Sequence, residues 1–243
     1  ISGAIVCLIL ICIKHPLGFS GIVEAGIQNN KFSLGEFGLA LSRPTFWVVL
    51  IYGLFINLQN FGADQNYIQR YLSSRTMEEA RRSAWQGALL YIPVSALFLL
   101  IGTGLYALYH FGSLQLPSNL LDSAKSDGVF PFFIVTELPQ GIRGLLVVSI
   151  FAAGMSTIST SYNSAATVML NDFYLTTTGS KSSEAVKIRV LYFSTLLIAL
   201  AGAGVAMAMI NTKSVLDTWW KLASVFSGGI LGLFLLALFT RAR

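Results

Sequence analysis

Charge is what this chain has least of. Its 243 residues include 16 Lys and Arg and 11 Asp and Glu, 11 % of the whole, against about 25 % in an average soluble domain. With 54 % hydrophobic residues and a mean hydropathy of +0.68, the shortage excludes an ordinary soluble domain and identifies an integral membrane protein. Cysteine is nearly absent. Cys7 and Cys12 fall on different faces of a helix, so they read as two small buried hydrophobes and not as a disulfide or metal pair. Histidine is as rare: His15 and His110 both sit at expected helix ends, and no G-x-S-x-G occurs. An intramembrane hydrolase would therefore lack its nucleophile and base. Low-complexity tracts and fixed-period repeats are missing too.

What the chain does contain is apolar runs. A spanning helix needs about 20 mostly apolar residues. Five runs qualify, at 45–68, 84–110, 145–172, 190–210 and 216–239, and a shorter one occupies 1–13. The expectation is an all-α integral membrane protein with five full spans and one truncated span in a single transmembrane domain, 1–243. No Met or basic segment precedes the first apolar run, and "LGLFLLALFTRAR" stops as a helix leaves the bilayer. The chain is accordingly expected to be a fragment, with no signal peptide at Ile1.

The net charge of +5 follows topology. Arg70, Arg75, Arg81 and Arg82 flank one connection, Lys181, Lys187 and Arg189 the next alternate one, and Arg241 and Arg243 the last exit, nine of the sixteen basic residues. That side is expected to be cytoplasmic, the connections around Lys31, Lys125 and Lys213 being sparser. Scattered in this way, the basic residues form no patch for nucleic acid.

The linkers carry local signals. "KHPLGFSGIVEAGIQNNKFSLGEFGLALSRP" is rich in breakers and reads as an outer loop with short helical turns. Pro44 is expected in the first turn of the next helix with Ser42 as its cap. In "SSRTMEEARRSAW", Thr76 is the expected N-cap of a short amphipathic helix, with Glu78 and Glu79 in its first turn. "PFFIVTEL" is too short to span and is expected to lie across the outer mouth as a lid-like helix.

Two polar groups interrupt the apolar runs. The first is "GMSTISTSYNS". Counting about 100° per residue from Ser156, Ser159 falls near 300°, Thr160 near 40°, Asn163 near 340° and Thr167 near 20°, one stripe about 100° wide. Thr157 lies beside it at about 100° and Ala153 at about 60°, where a small side chain leaves the backbone approachable. Small and hydroxyl residues commonly glue membrane helices together. A dense set of neutral oxygens without carboxylate or imidazole also suits a hard monovalent cation, sodium, since divalent ions recruit several Asp or Glu. The second group is "NLQNFGADQNYIQRYL". An Asp inside the bilayer costs about 2.5–3.5 kcal/mol and must face protein or water. Gly53 and Gly62 are points where this helix can loosen, as broken helices of secondary transporters do. Asn57 and Asn60 are assigned to a cavity, Asp64 and Arg70 to interface structure.

"GADQNYIQRYLSSRTMEEARRSAW" and "LPQGIRGLLVVSIFAAGMSTISTSYNSAATVMLNDFY" together resemble two signatures of the sodium/solute symporters, in the right order and over essentially the whole chain. The resemblance implies a leucine-transporter-type inverted-repeat helical bundle, of which the chain would hold the end of the fifth core helix to the tenth, with the second repeat nearly complete. It implies a sodium site using the carbonyl of Ala153 and the hydroxyls of Ser156 and Thr157. A further sodium site would use Ser156, Ser159 and Thr160, with an Asp expected upstream of Ile1. Asn57 and Asn60 would meet substrate. Sugar-transporting members have an aromatic at the latter position and a Lys near Leu90, so glucose-like sugars fit poorly. Trp219, Trp220 and Lys221 lie near where relatives reach substrate; Lys221 either pairs with an anionic solute or snorkels at a helix end.

The resulting expectation is a sodium-coupled symporter in the cell membrane that imports a small organic solute, preferably a sialic acid, sugar acid or monocarboxylate, by alternating access. A transporter-like sensor domain is the alternative. An enzyme is not expected.

Overall fold

A computed structural model of the chain describes every residue except 113, 122, 179–181, 211, 213–214 and 241–243. Lys181, Lys213, Arg241 and Arg243, which entered the orientation argument, lie outside the described residues, as does the side chain of Lys125. The described residues form helices joined by turns, with no strand among them. They are α1 (Ser2–Lys14), α2 (Gly18–Gln28), α3 (Phe46–Gly62), α4 (Gln65–Leu72), α5 (Met77–His110), α6 (Val129–Glu137), α7 (Gln140–Val168), α8 (Thr176–Thr178), α9 (Glu184–Ala208) and α10 (Val215–Phe239). A π-helical stretch, Met169–Leu175, joins α7 to α8.

Four helical stretches are long and apolar enough to cross a membrane: Met77–His110, Gln140–Thr178, Glu184–Ala208 and Thr218–Phe239. Two bent pairs add α1 with α2, at 92°, and α3 with α4, at 45°. Four of the expected full spans are thus continuous and the fifth is broken. After the first apolar run, where an outer loop with short helical turns is expected, the chain turns and continues as a longer helix, α2, of 11 residues. The cause is local. His15 precedes Pro16, whose ring disfavours helical backbone in the residue before it, and His15 is extended at φ −77°, ψ 130°. Gly18 completes the turn at φ +58°, a region open chiefly to glycine.

The second break matches the expected weak point at Gly62, where α3 ends, whereas Gly53 stays inside the helix. Asp64 begins α4 at φ −73°, ψ 126°, its carboxylate accepting the Asn66 N–H at 2.8 Å. That N-cap accounts for an acid at this depth. Two expected caps come out differently. α3 starts after Thr45, whose carbonyl accepts from the Val49 N–H at 3.0 Å; Pro44 and Ser42 precede the helix. Thr76 caps as expected, taking the Glu79 N–H at 3.2 Å while Glu79 Oε2 accepts from the Arg75 N–H at 3.2 Å. The helix so capped is no short amphipathic segment but the start of α5, 34 residues long.

The chain divides into two compact units. The first comprises Ile1–Leu54 and Arg81–Val148, the second Phe55–Ala80 and Ser149–Arg243. In the first unit, Cys7, Ile11, Ile22, Ile101, Leu108 and Phe133 form a continuous buried core. α5 meets α1 and α2 at Gly104, where a Cβ would come within 2.8 Å of Ile11 Cγ2. α6, expected as a lid, is a core element: Phe133 is fully buried and Ile134 nearly so, and Lys14 Nζ reaches Glu137 Oε2 at 2.7 Å. Its apolar residues are too many for a solvent-facing flap and find their partners in α1 and α5. Cys7 and Cys12 are free thiols, the first buried.

In the second unit, Ala166 and Leu170 are buried on α7 and the π-helical stretch. α9 brings Gly202 to the Tyr162 ring, a Cβ there lying 3.1 Å from the hydroxyl. Large apolar side chains on α9 and α10, Phe193 and Leu233 among them, point outward, as suits surfaces that face hydrocarbon.

Candidate functional site

α4 and the middle of α7 enclose a polar cavity of about 210 Å³ within the second unit, lined by Asn66, Tyr67 and Arg70 from α4 and by Ser156, Thr157, Thr160 and Ser161 from α7. The short α4 can approach α7 because the break after Gly62 frees it from the direction of α3. Ser164 fastens the two helices. It is 4 % exposed, and its hydroxyl donates to Asn66 Oδ1 at 2.6 Å, with Gln69 Oε1 at 3.4 Å.

The hydroxyl stripe is divided by this contact. Ser156, Thr157 and Thr160 look into the cavity, joined by Ser161. Ser159 and Asn163 are exposed and are not among the lining residues. Thr167 Oγ1 donates to the Asn163 carbonyl at 2.8 Å. Thr157 Oγ1 donates to the Ala153 carbonyl at 3.0 Å and Thr160 Oγ1 to the Ser156 carbonyl at 2.9 Å. Such bonds to the carbonyl four residues back are the usual way a membrane helix satisfies a Thr hydroxyl. Here they gather oxygens in pairs, hydroxyl beside carbonyl, whose remaining lone pairs are free to face a cation. Among the described residues no three His, Cys, Asp or Glu converge, so a cation in this cavity would meet neutral oxygens on the α7 side, with the Arg70 guanidinium on the α4 wall.

The expected substrate residues are placed less tightly. Asn57 is exposed and Asn60 half-buried on α3, and Trp220 and Lys221 are exposed on α10; none of the four lines the α4–α7 cavity. Sequence reasoning missed Asn66, Tyr67, Ser161 and Ser164, and placed Arg70 in interface structure when it lines the cavity. The signal was present: Ser161 and Ser164 fall at about 140° and 80° from Ser156, on the flank of Ala153 and Thr157.

The sequence model of the Sodium:solute symporter family matches residues 6–242. The chain belongs to this family. As a member it is a multi-pass integral membrane protein of the cell membrane, and the family is one of transporters. The chain is similar to the sodium/sialic acid symporter SiaT of Proteus mirabilis, 32 % identical over 99 % of this chain and 48 % of the relative. It is similar to the sodium/sialic acid symporter NanT of Aliivibrio fischeri, 30 % identical over 98 % and 47 %. A rabbit (Oryctolagus cuniculus) sodium-dependent multivitamin transporter is 32 % identical over 81 % of this chain and 31 % of its own. Among solved structures, a Na+-coupled sialic acid symporter in a substrate-bound outward-open state superposes with a TM-score of 0.86 at 31 % identity, over 99 % of this chain and 49 % of that one. The all-helical membrane fold expected from the resemblance is thus shown, and the chain spans about half the length of the two sialic acid symporters it matches. These relatives are transporters, which gives the sensor alternative no support.

Proposed function

We propose that the whole protein is a sodium-coupled secondary symporter that imports a small organic anion, a sialic acid in preference to a sugar acid or monocarboxylate. The observation that carries this reading is the α4–α7 cavity, where Ser156, Thr157 and Thr160 present neutral oxygens and Thr157 Oγ1 stands 3.0 Å from the Ala153 carbonyl. The carbonyl of Ala153 and the hydroxyls of Ser156 and Thr157 hold one sodium ion as cargo. Ser159 and Thr160, with Ser156, contribute to a second. Asn57, Asn60, Trp220 and Lys221 contact the solute, the ammonium of Lys221 offering a carboxylate its counter-charge. Sodium favours the outward-open state by binding it more tightly, and the gradient drives the cycle. The family membership and the sialic acid symporters among the relatives support this choice of cargo.

The test is uptake of radiolabelled sialic acid by the full-length protein in proteoliposomes, with sodium or choline outside. Uptake is expected only with sodium. Thr157→Val, which keeps shape but removes an oxygen, should raise the sodium concentration for half-maximal uptake by at least about tenfold, equivalent to about 1.4 kcal/mol, while Thr157→Ser keeps it near wild type. Uptake indifferent to sodium overturns the coupling. Sodium-dependent uptake with an unchanged half-saturation in both Thr157→Val and Ser156→Ala overturns the residue assignment alone.

A further inference from the structure

One cavity in the first unit has no part in the sodium reading. It measures about 510 Å³, within the range of small-molecule sites, and lies where the end of α5 meets the start of α6. Its walls are apolar: Leu105, Leu116, Leu120, Leu121, Val129 and Phe130. Among the described residues its charged lining residue is Lys31.

That cation is held in place. α2 ends with Asn30 in the left-handed region, φ +53°, and the Lys31 N–H closes the turn on the Gly26 carbonyl at 2.8 Å, the pattern of a helix C-cap. Gly26 itself is fixed, since a Cβ there would press on the Phe32 ring and come within 2.9 Å of Thr103 Cγ2 on α5. Lys31 Nζ stands 3.8 Å from the centroid of the Tyr106 ring. His110 stacks on that ring at 4.1 Å, and the Tyr106 hydroxyl donates to Asn29 Oδ1 at 3.2 Å. Among the described residues Lys31 makes no ion pair. An ammonium positioned at an apolar cavity, with no carboxylate paired to it among the described residues, suits the head of an anionic amphiphile.

We propose that this cavity binds an amphipathic monocarboxylate, its carboxylate on Lys31 and its hydrocarbon body against Leu105, Val129 and Phe130. The ammonium selects the charge and the walls exclude a fully polar solute, so the site is distinct in chemistry from the hydroxyl-lined cavity between α4 and α7.

Decanoate serves as the probe, measured by equilibrium binding to the purified full-length protein and by labelling with a diazirine analogue followed by peptide mapping. Lys31→Gln should weaken decanoate binding by at least about tenfold, the usual scale for a lost charge-assisted contact. Gly102→Phe should do the same by filling the space, because Gly102 lines the cavity and a Cβ there meets nothing within 4 Å. Both variants should keep sodium-dependent uptake, which separates this site from the transport reading. Label is expected on the α5 and α6 segments that line the cavity. Wild-type affinity in both variants, equal binding of decan-1-ol, label confined to other segments, or label displaced by phosphatidylglycerol vesicles but not by free decanoate would each overturn the proposal.

Discussion

Replacing Ser164 by Ala removes one oxygen from the contact that joins α4 to α7 and changes almost nothing else. The hydroxyl is 4 % exposed and donates at 2.6 Å to Asn66 Oδ1, its approach to Gln69 Oε1 being long at 3.4 Å. One good bond is therefore at stake. Between membrane helices such a bond contributes about 0.6 kcal/mol on average and about 1.7 at most. Burial of the donor argues for the upper part of that range. Asn66, however, lines the α4–α7 cavity, so water can take the vacated place on its oxygen, and a loss of about 1 kcal/mol is expected. The assay is a double-mutant cycle of Ser164→Ala and Asn66→Ala in the full-length protein, by reversible unfolding in mixed micelles. A coupling of about 1 kcal/mol is expected, well above the roughly 0.3–0.5 kcal/mol within which independent sites add. Thr167→Ala is the control, because its hydroxyl bonds only within its own helix. A coupling no larger than that scatter would refute the claim that Ser164 fixes α4 against α7.

Other perturbations follow from the first unit. Phe133→Ala should cost about 3–5 kcal/mol, as for other buried aromatics, and appear as a loss of folded protein in size-exclusion chromatography; a lid would tolerate the change. Lys14→Met or Glu137→Leu alone should each lower stability by about 1–2 kcal/mol, between the limits for exposed and buried pairs. The double variant should recover part of that loss in the same unfolding assay, and equal additivity would show that the 2.7 Å contact contributes nothing. Gly18→Ala should cost about 1–2 kcal/mol, since φ +58° is strained for any residue with a Cβ. A wild-type melting temperature would place the bend between α1 and α2 elsewhere.

Much of the molecule was legible from the chain alone. Apolar runs located the continuous spans, because a helix in hydrocarbon must satisfy its own backbone and cover it with apolar side chains. The Thr76 cap and the weak point at Gly62 were legible too, being local chemistry. What the sequence determined of the candidate site was its chemical kind, neutral oxygens crowded onto one helix. Its angular count grouped Ser159 and Asn163 with Ser156, but a period of 3.6 residues assigns neighbours to a face without saying which flank meets a partner. Contact with α4 decided that, placing Ser161 in the cavity lining and Ser164 on Asn66 while Ser159 and Asn163 stay outside the lining. In the same way "PFFIVTEL" reads as a short apolar piece free to serve as a lid, until α1 and α5 supply the walls that bury Phe133. α2 sat in a stretch full of breakers, where Pro16 and Gly18 signal a turn but not that a helix resumes beyond it against Ile11 and Gly104. Local propensity and hydropathy are properties of a segment and can be read along it; burial and the convergence of side chains belong to pairs of segments distant in sequence, and tertiary packing alone brings those together.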